Sequence, residues 1–351
     1  MEYERQTQTE IGSRLDQILR EVPFIRPKRS KSELRTPQGQ VDLAIDLTVN
    51  GSPWRLLVEV KSSGEPRIAR GAIQKILMVA SKQEGGYGLF AAPYIGPETQ
   101  RICKEAGVGF IDLAGNCRLV FAKVFIERRG FPNPKAERRP LRSLFSPKAS
   151  RVLRVFFETP KQSWQVQKLA REARVSLGLA AKVKQRLLDL EYAVEEPPGI
   201  RLAKPEEILR AWGSAPADRK STPVGIYAPG DSPQLEEGLH RYCAENDIRF
   251  ALSQFSGAAR VAPFTRYTRG FAYVEADPAS FLDKIGWKPV STGSNFTLRW
   301  PFDEGVFYGA RLIDQDWVVS DLQLYLDLME SKGRGEEAAM SILEQKLRPR
   351  W

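Results

Sequence analysis

The length of 351 residues exceeds what one typical hydrophobic core organises, so it predicts two or three domains. The composition is ordinary for a globular protein, and no apolar run is long enough to span a bilayer, which argues against a membrane protein. There are 53 lysine and arginine residues against 43 aspartate and glutamate residues. The net charge of +10 favours a polyanionic partner, most simply nucleic acid, and solvated basic loops are the alternative explanation.

The cysteines and the histidine argue against several kinds of site. Cys103, Cys117 and Cys243 are far apart and form no Cys-x-x-Cys pair. This spacing argues against a zinc knuckle or a disulfide framework and predicts a reducing, cytoplasmic location. His240 is the only histidine and has no nucleophile motif near it, which argues against Ser-His-Asp and Cys-His catalysis.

Residues 1–130 predict an α/β sandwich with a mixed sheet. Asn50-Gly51 between two apolar runs is a strong hairpin signal. A basic run at 26–31 precedes the hairpin. The predicted elements are a helix at 6–21, strands at 40–49 and 54–61, a helix at 67–81, a strand at 88–92, a helix at 96–106, and strands at 108–112, 117–121 and 123–127.

Two acids and a lysine lie on the predicted hairpin. Asp42 is on the first strand, and the second strand ends in Glu59-Val60-Lys61. Because side chains alternate along a strand, Glu59 and Lys61 point to the same face. Asp42 and Glu59 are placed to share a hard cation beside the lysine, which is the minimal equipment for metal-assisted phosphodiester hydrolysis.

The acid-x-Lys spacing also occurs elsewhere, so its context decides its meaning. Asp218-Arg219-Lys220 lies in a polar linker, and Glu330-Ser331-Lys332 and Glu344-Gln345-Lys346 lie in segments with helical periodicity. Only Glu59 closes a strand-like run with another strand-borne acid upstream.

Asp42 followed by Glu59-Val60-Lys61 and a helix resembles the PD-(D/E)XK superfamily of restriction-endonuclease-like nucleases, over residues 6–127 and with Val41 where the motif has proline. The resemblance implies that Asp42 and Glu59 bind Mg²⁺ and that Lys61 orients or activates the attacking water. Two alternatives stay open, an idle site in a retained fold and a plain salt bridge between Glu59 and Lys61.

The same resemblance suggests further members of the site. Glu10 on the first helix is the candidate for an additional metal ligand, and Gln74 on the helix after Lys61 is the candidate for a polar catalytic residue. Asp46 shares a face with Asp42 on a regular strand, so it is an alternative ligand.

The segments at 131–146 and 147–214 predict a linker and a winged helix-turn-helix. The first is rich in proline and charge and contains Arg138 and Arg139, which are candidates for DNA contact. The second is predicted to hold helices at 147–158, 164–173 with Ser163 as cap, and 175–190, followed by a hairpin at 192–202.

The third helix of this segment resembles the recognition helix of winged-helix regulators. Leu179, Val183, Leu187 and Leu190 are assigned to its core face. The residues left for the major groove and its phosphates are Ser176, Lys182, Gln185 and Arg186, with Arg201 in the wing. A winged helix used for protein contacts is the alternative.

After a second linker at 215–223, residues 223–351 predict an α+β domain without a catalytic constellation. The predicted strands are 224–228, 248–253, 270–275, 296–300 and 306–313, and the helices are 233–245, 278–285, 320–331 and 335–347. The complete fold class is therefore multidomain: a restriction-endonuclease-like α/β sandwich, a winged helix-turn-helix and a C-terminal α+β domain.

Residues 318–328, followed by Gly333-Arg334-Gly335, look like the C-terminal region of AbiEi-type antitoxins of type IV toxin–antitoxin systems, as does Ala251–Tyr273. The resemblance implies that a winged helix binds operator DNA and represses transcription, and that a cognate toxin is encoded separately. Winged-helix regulators are often dimers, so a homodimer is expected, although no clear dimerisation helix is present.

The sequence therefore leaves two candidate functions open. The first is Mg²⁺-dependent hydrolysis of DNA by the N-terminal domain, directed by the winged helix. The second is an antitoxin-like transcriptional regulator whose nuclease-like domain is catalytically idle.

Overall fold

The computed structural model describes residues 2–37, 39–133, 144–215, 223–262, 267–331 and 334–351. The chain divides into two compact units, residues 1–140 with 189–191, and residues 141–188 with 192–351. Arg138 and Arg139 lie outside the described residues. Across the described ranges, no helix is both long enough and apolar enough to cross a membrane.

The first unit is a mixed sheet with helices on both faces, as its sequence predicts. Among its described residues the helices are α1 (Glu2–Arg20), α2 (Pro66–Ala80) and α3 (Pro97–Glu105), and the strands are β1 (Ile25–Thr36), β2 (Gly39–Val49), β3 (Ser52–Val60), β4 (Gly86–Ala92), β5 (Gly109–Asp112), β6 (Cys117–Phe121) and β7 (Val124–Arg128). The strands follow chain order across the sheet. The pairs β3–β4 and β4–β5 are parallel, and the outer pairs are antiparallel.

Two hydrophobic clusters fix the strands from opposite faces. On α1, Ile11, Leu15 and Leu19 recur every four residues, so they form one buried face that packs on the sheet. On the other face, Ile73 and Ile76 of α2 pack in a cluster that includes side chains of β4 and β5. Burial of each such side chain contributes about 1.5–3 kcal/mol, so the middle of the sheet is a rigid base for polar groups at its edge.

The edge strand β1 is missing from the sequence-based prediction. Within this 12-residue strand only Ile25 is buried, so the apolar alternation that signals a half-buried strand is lacking. Pairing with β2, from Ile25 opposite Val49 to Thr36 opposite Gly39, holds β1 in the sheet instead.

The second unit combines a helical segment, a small hairpin and a second mixed sheet. Its described helices are α4 (Pro147–Glu158), α5 (Val166–Glu172), α6 (Leu177–Asp189, of which Asp189 clusters with the first unit), α7 (Pro205–Ser214), α8 (Ser232–Glu245), α9 (Gln254–Val261), α10 (Pro278–Ile285), α11 (Asp321–Leu328) and α12 (Arg334–Ile342). Its described strands are β8 (Ala193–Glu196), β9 (Gly199–Leu202), β10 (Val224–Tyr227), β11 (Phe250–Leu252), β12 (Gly270–Val274), β13 (Lys288–Pro289), β14 (Phe296–Arg299), β15 (Arg311–Ile313) and β16 (Asp316–Val318). β8 pairs with β9, and the larger sheet has the order β13-β10-β14-β12-β11-β16-β15.

Three details of this unit correct the sequence-based prediction. The sequence pattern predicts neither α7 nor α9, which the structure contains. The strand expected at 306–313 is wrong in its first half, since residues 304–307 form a 3₁₀ turn and β15 begins only at Arg311. Ser163 does not cap α5, because its hydroxyl binds the backbone of the β8–β9 hairpin.

Buried polar contacts join α4 to the C-terminal elements of the same unit. Arg154 is buried and donates to Oε1 of Gln323 on α11 at 2.6 Å. Arg151 forms a two-point contact with Asp303, with nitrogen–oxygen distances of 2.7 and 2.6 Å. Charge-assisted bonds of this geometry are stronger than neutral ones and fix the helix against its neighbours.

Candidate active site and nucleic-acid-binding helix

The hairpin of β2 and β3 brings Asp42, Glu59 and Lys61 together. Leu43 pairs with Val58, and the next positions along the two antiparallel strands are Asp42 and Glu59. Oδ2 of Asp42 accepts a 2.7 Å hydrogen bond from the backbone N–H of Val60. Lys61, just beyond the end of β3, places Nζ 2.7 Å from Oε1 of Glu59.

A second lysine, which sequence reasoning missed, completes this cluster. Lys75 on α2 also places Nζ 2.7 Å from Oε1 of Glu59. The cluster therefore holds two carboxyl groups and two ammonium groups around the end of β3. The sequence could have indicated Lys75 only through its position next to the buried face of α2, which contains Ala72, Ile76 and Val79.

Burial decides the electrostatics of the two acids. The side chain of Glu59 is fully buried, and its Oε2 has no hydrogen-bond partner within the described part of the chain. Burial raises the pKa of Asp42, and the nearby charge of Glu59 raises it further. The bond from Val60 and the charges of Lys61 and Lys75 act in the opposite direction.

The residues present fit a magnesium ion of the kind that uses few protein ligands. In the described ranges, no three histidine, cysteine, aspartate or glutamate side chains cluster as a ready-made metal cage. Mg²⁺ usually binds one or two carboxylates and keeps waters and substrate phosphates as its other ligands. An unpartnered buried oxygen on Glu59 beside Asp42 matches that donor set.

Other residues suggested by the sequence lie away from the cluster. Glu10 is exposed on α1 and accepts a 3.1 Å bond from Gln6. Gln8 of α1 reaches Asp42, since its side-chain amide donates to the Asp42 backbone carbonyl. Gln74 is exposed, and α2 presents its neighbour Lys75 to Glu59 instead. Asp46 forms an ion pair with Arg55, its cross-strand partner on β3.

The candidate DNA-reading residues lie on and beside α6. Lys182 and Gln185 are exposed, and Arg186 is half-buried. The hydroxyl of Ser176, just before the helix, accepts a 3.2 Å bond from the N–H of Leu179, so Ser176 caps the helix. The described core face consists of Ala180, Val183, Leu187 and Leu188, with Leu179 and Leu190 only partly buried.

Arg201 of β9 is engaged within the hairpin. Its Nε donates to Oε2 of Glu196 at 2.8 Å, and its Nη1 donates to the Leu202 carbonyl at 3.0 Å. A phosphate contact by Arg201 would therefore compete with an existing ion pair.

The C-terminal part of the chain matches a known family. Residues 201–348 match the AbiEi_2 family. Its description is transcriptional regulator, AbiEi antitoxin, type IV TA system. The resemblance of this region to AbiEi-type antitoxins is thus confirmed, and the AbiEi_2 match extends from the last residues of β9 to Arg348, beyond the end of α12. No curated protein matches the chain.

Two solved structures show weak similarity to the chain. One is described as the crystal structure of a repair endonuclease from Pyrococcus abyssi, with 15% identity, a TM-score of 0.22 and coverage of 29% of this chain and 46% of that chain. The other is described as the structure of EndoMS in apo form, with 15% identity, a TM-score of 0.22 and coverage of 29% and 45%. The aligned region spans less than half of each of these proteins.

Proposed function

We propose that the protein is a DNA-binding regulator of the antitoxin type whose N-terminal unit hydrolyses DNA phosphodiester bonds with Mg²⁺. The observation that carries the hydrolytic part is the buried, unpartnered Oε2 of Glu59, held next to Asp42 and two lysines. A buried carboxylate oxygen without a partner costs about 1–3 kcal/mol or more, and a cation bound there would remove that cost.

The roles of the residues follow from their chemistry. Asp42 and Glu59 would hold the ion, and the chemistry that Mg²⁺ supplies when bound is polarisation of the phosphate and a lower pKa for a coordinated water. Lys61, one-third exposed, is free to move its ammonium between Glu59 and a water or phosphate oxygen, where it stabilises negative charge. Lys75 orients the carboxyl group of Glu59 through its contact with Oε1.

The second unit would bring the protein to its target. The order of α4, α5 and α6 followed by β8 and β9 supports a winged helix-turn-helix, with α6 as the recognition helix. Exposed Lys182 and Gln185 supply a phosphate-binding cation and a base-reading amide. A cytoplasmic location, a cognate toxin and a homodimer belong to the same proposal, and they rest on the antitoxin resemblance and the cysteine pattern.

A second candidate function is transcriptional repression with an idle N-terminal site. The observation in its favour is charge balance, because Lys61 and Lys75 already offset the charges of Asp42 and Glu59 without a metal. The AbiEi_2 match over residues 201–348 fits either candidate.

Cleavage of plasmid and oligonucleotide DNA with Mg²⁺ or Mn²⁺ separates the two candidates. We expect cleavage by the wild type, loss of at least about 100-fold in Glu59→Gln and Asp42→Asn, and a similar loss in Lys61→Met. Asp46→Asn is the matched control, since it makes the same change on the same strand at a residue that contacts Arg55. Binding without cleavage across varied substrates would leave the repressor as the function.

A further inference from the structure

The edge strand β1 carries a row of exposed cations. Arg26, Lys28, Arg29, Lys31 and Arg35 are all exposed, and none has an acidic side chain within ion-pair distance in the described part of the chain. Glu33 is the only acid of the strand. Five positive charges against one negative charge over 12 residues give β1 a strongly basic surface.

Two of these cations, Arg29 and Lys31, follow the two-residue period of the strand. Arg29 and Lys31 alternate with Ser30 and Ser32, so the two cations project from one face and the two serines from the other. Arg29 and Lys31 therefore place two positive charges on the same face of the edge strand.

The register of the sheet places that basic face beside the candidate active site. Arg29 is opposite Asp46, and Lys31 is opposite Ala44. Ala44 packs with Leu57 and with Val79 of α2, so this is the face on which Lys75 reaches Glu59.

The distance along the sheet is short. Asp42 precedes Ala44 by two residues on β2, which makes it a diagonal neighbour of Lys31. Such neighbours lie about 7–8 Å apart in a sheet. The side chain of Lys31 is therefore close enough to Asp42 to bind a phosphate adjacent to the one at the candidate site.

We propose that the α2-side face of β1, formed by Arg29 and Lys31, binds the phosphodiester backbone of the DNA that enters the Asp42–Glu59 site. This inference rests on the proposed function and adds the surface that guides the substrate strand. It assigns to the first unit a DNA contact of its own, additional to α6.

The test compares two variants of the full chain that change its charge equally. Arg29→Ser with Lys31→Ser removes two positive charges from the α2-side face, and Ser30→Glu with Ser32→Glu adds two negative charges on the opposite face. Both lower the net charge by two, so long-range electrostatics are matched. Affinity for a labelled DNA duplex is measured with Ca²⁺ in place of Mg²⁺ between about 50 and 200 mM salt, so that no cleavage is needed.

The expected result is a difference in salt dependence. Because each lost phosphate contact reduces the slope of log K against log salt by about 0.9, Arg29→Ser/Lys31→Ser should be shallower than the wild type by roughly 1.8. Ser30→Glu/Ser32→Glu should keep the wild-type slope. Since the slope counts all phosphate contacts, binding by α6 does not hide the effect.

Equal slopes of log K against log salt for both variants and the wild type would overturn the inference. The charges of β1 would then only prevent this edge strand from pairing with another chain. The hydrolytic proposal is decided separately, by the cleavage of Glu59→Gln. A shallower slope in Arg29→Ser/Lys31→Ser without any cleavage by the wild type would keep the β1 surface and reject hydrolysis.

Discussion

Lys75 binds Oε1 of Glu59 from the helix that follows β3, with 2.7 Å between Nζ and the carboxylate oxygen. Lys61 binds the same oxygen, so Oε1 contacts two ammonium groups. The other carboxylate oxygen, Oε2, has no partner among the described residues. This asymmetry is what makes the end of β3 a candidate cation site rather than an ordinary ion pair.

Replacement of Lys75 should lower stability, because it removes one of two cations from a buried carboxylate. We expect Lys75→Met to reduce the free energy of unfolding by about 1–3 kcal/mol. Gln74→Met, one position away on the exposed side of α2, is the matched control and should stay within about 0.5 kcal/mol of the wild type. Calorimetry of the full chain measures both, and equal losses would show that Lys75 is not a specific partner of Glu59.

Divalent cations should stabilise the wild type through the Asp42–Glu59 pair. An ion that binds only the folded state adds about 2.7 kcal/mol at a hundred times its dissociation constant. We therefore expect Mg²⁺ or Mn²⁺ to raise the melting temperature of the wild type and to leave that of Glu59→Gln unchanged. Ion-induced stabilisation of equal size in both proteins would place the metal elsewhere.

Lys75→Met should bind the ion more tightly than the wild type, because it removes a neighbouring positive charge from the site. The ion should consequently restore more stability to Lys75→Met than to Gln74→Met. This comparison requires no cleavage activity.

The raised pKa of Asp42 should be visible in the pH dependence of stability. Burial is its main cause, so the folded state holds the proton more tightly than the unfolded state, whose ordinary value is 3.8. Stability attributable to this group therefore falls as pH rises from that value through the folded pKa. Asp42→Asn removes the effect, and its stability relative to the wild type should increase over that interval in urea unfolding. A constant difference across the interval would contradict the raised pKa.

The central part of this site could be predicted from the sequence. Apolar alternation and Asn50-Gly51 define the β2–β3 hairpin, and in antiparallel pairing these two features bring Asp42 close to Glu59. Lys61 follows from the two-residue period of the strand. None of these steps needs long-range information, because the hairpin is local in the chain.

Lys75 and β1 could not be predicted in the same way. The sequence shows that α2 is amphipathic, but the rotation of the helix about its axis depends on packing against strands distant in the chain. One residue changes the direction of a side chain by about 100°, which separates Gln74 from Lys75. In β1 the strand is held by backbone pairing with β2, and its exposed side chains give no apolar pattern to read.

Ser176 caps α6 through its hydroxyl and is also a candidate DNA contact. Ser176→Ala removes the cap and should cost about 0.5–2 kcal/mol of stability. Ser176→Asp keeps an acceptor for the Leu179 N–H and places a negative charge at the helix start, so it should retain stability.

The two variants should rank differently in DNA affinity than they do in stability. Ser176→Asp should bind more weakly than Ser176→Ala, because its carboxylate faces phosphates wherever α6 enters the major groove. Anisotropy titrations at one fixed salt concentration, paired with thermal unfolding, separate capping from DNA contact. If Ser176→Asp binds DNA as well as the wild type does, α6 does not approach DNA with its N-terminal end, and the winged-helix assignment of its recognition residues is wrong.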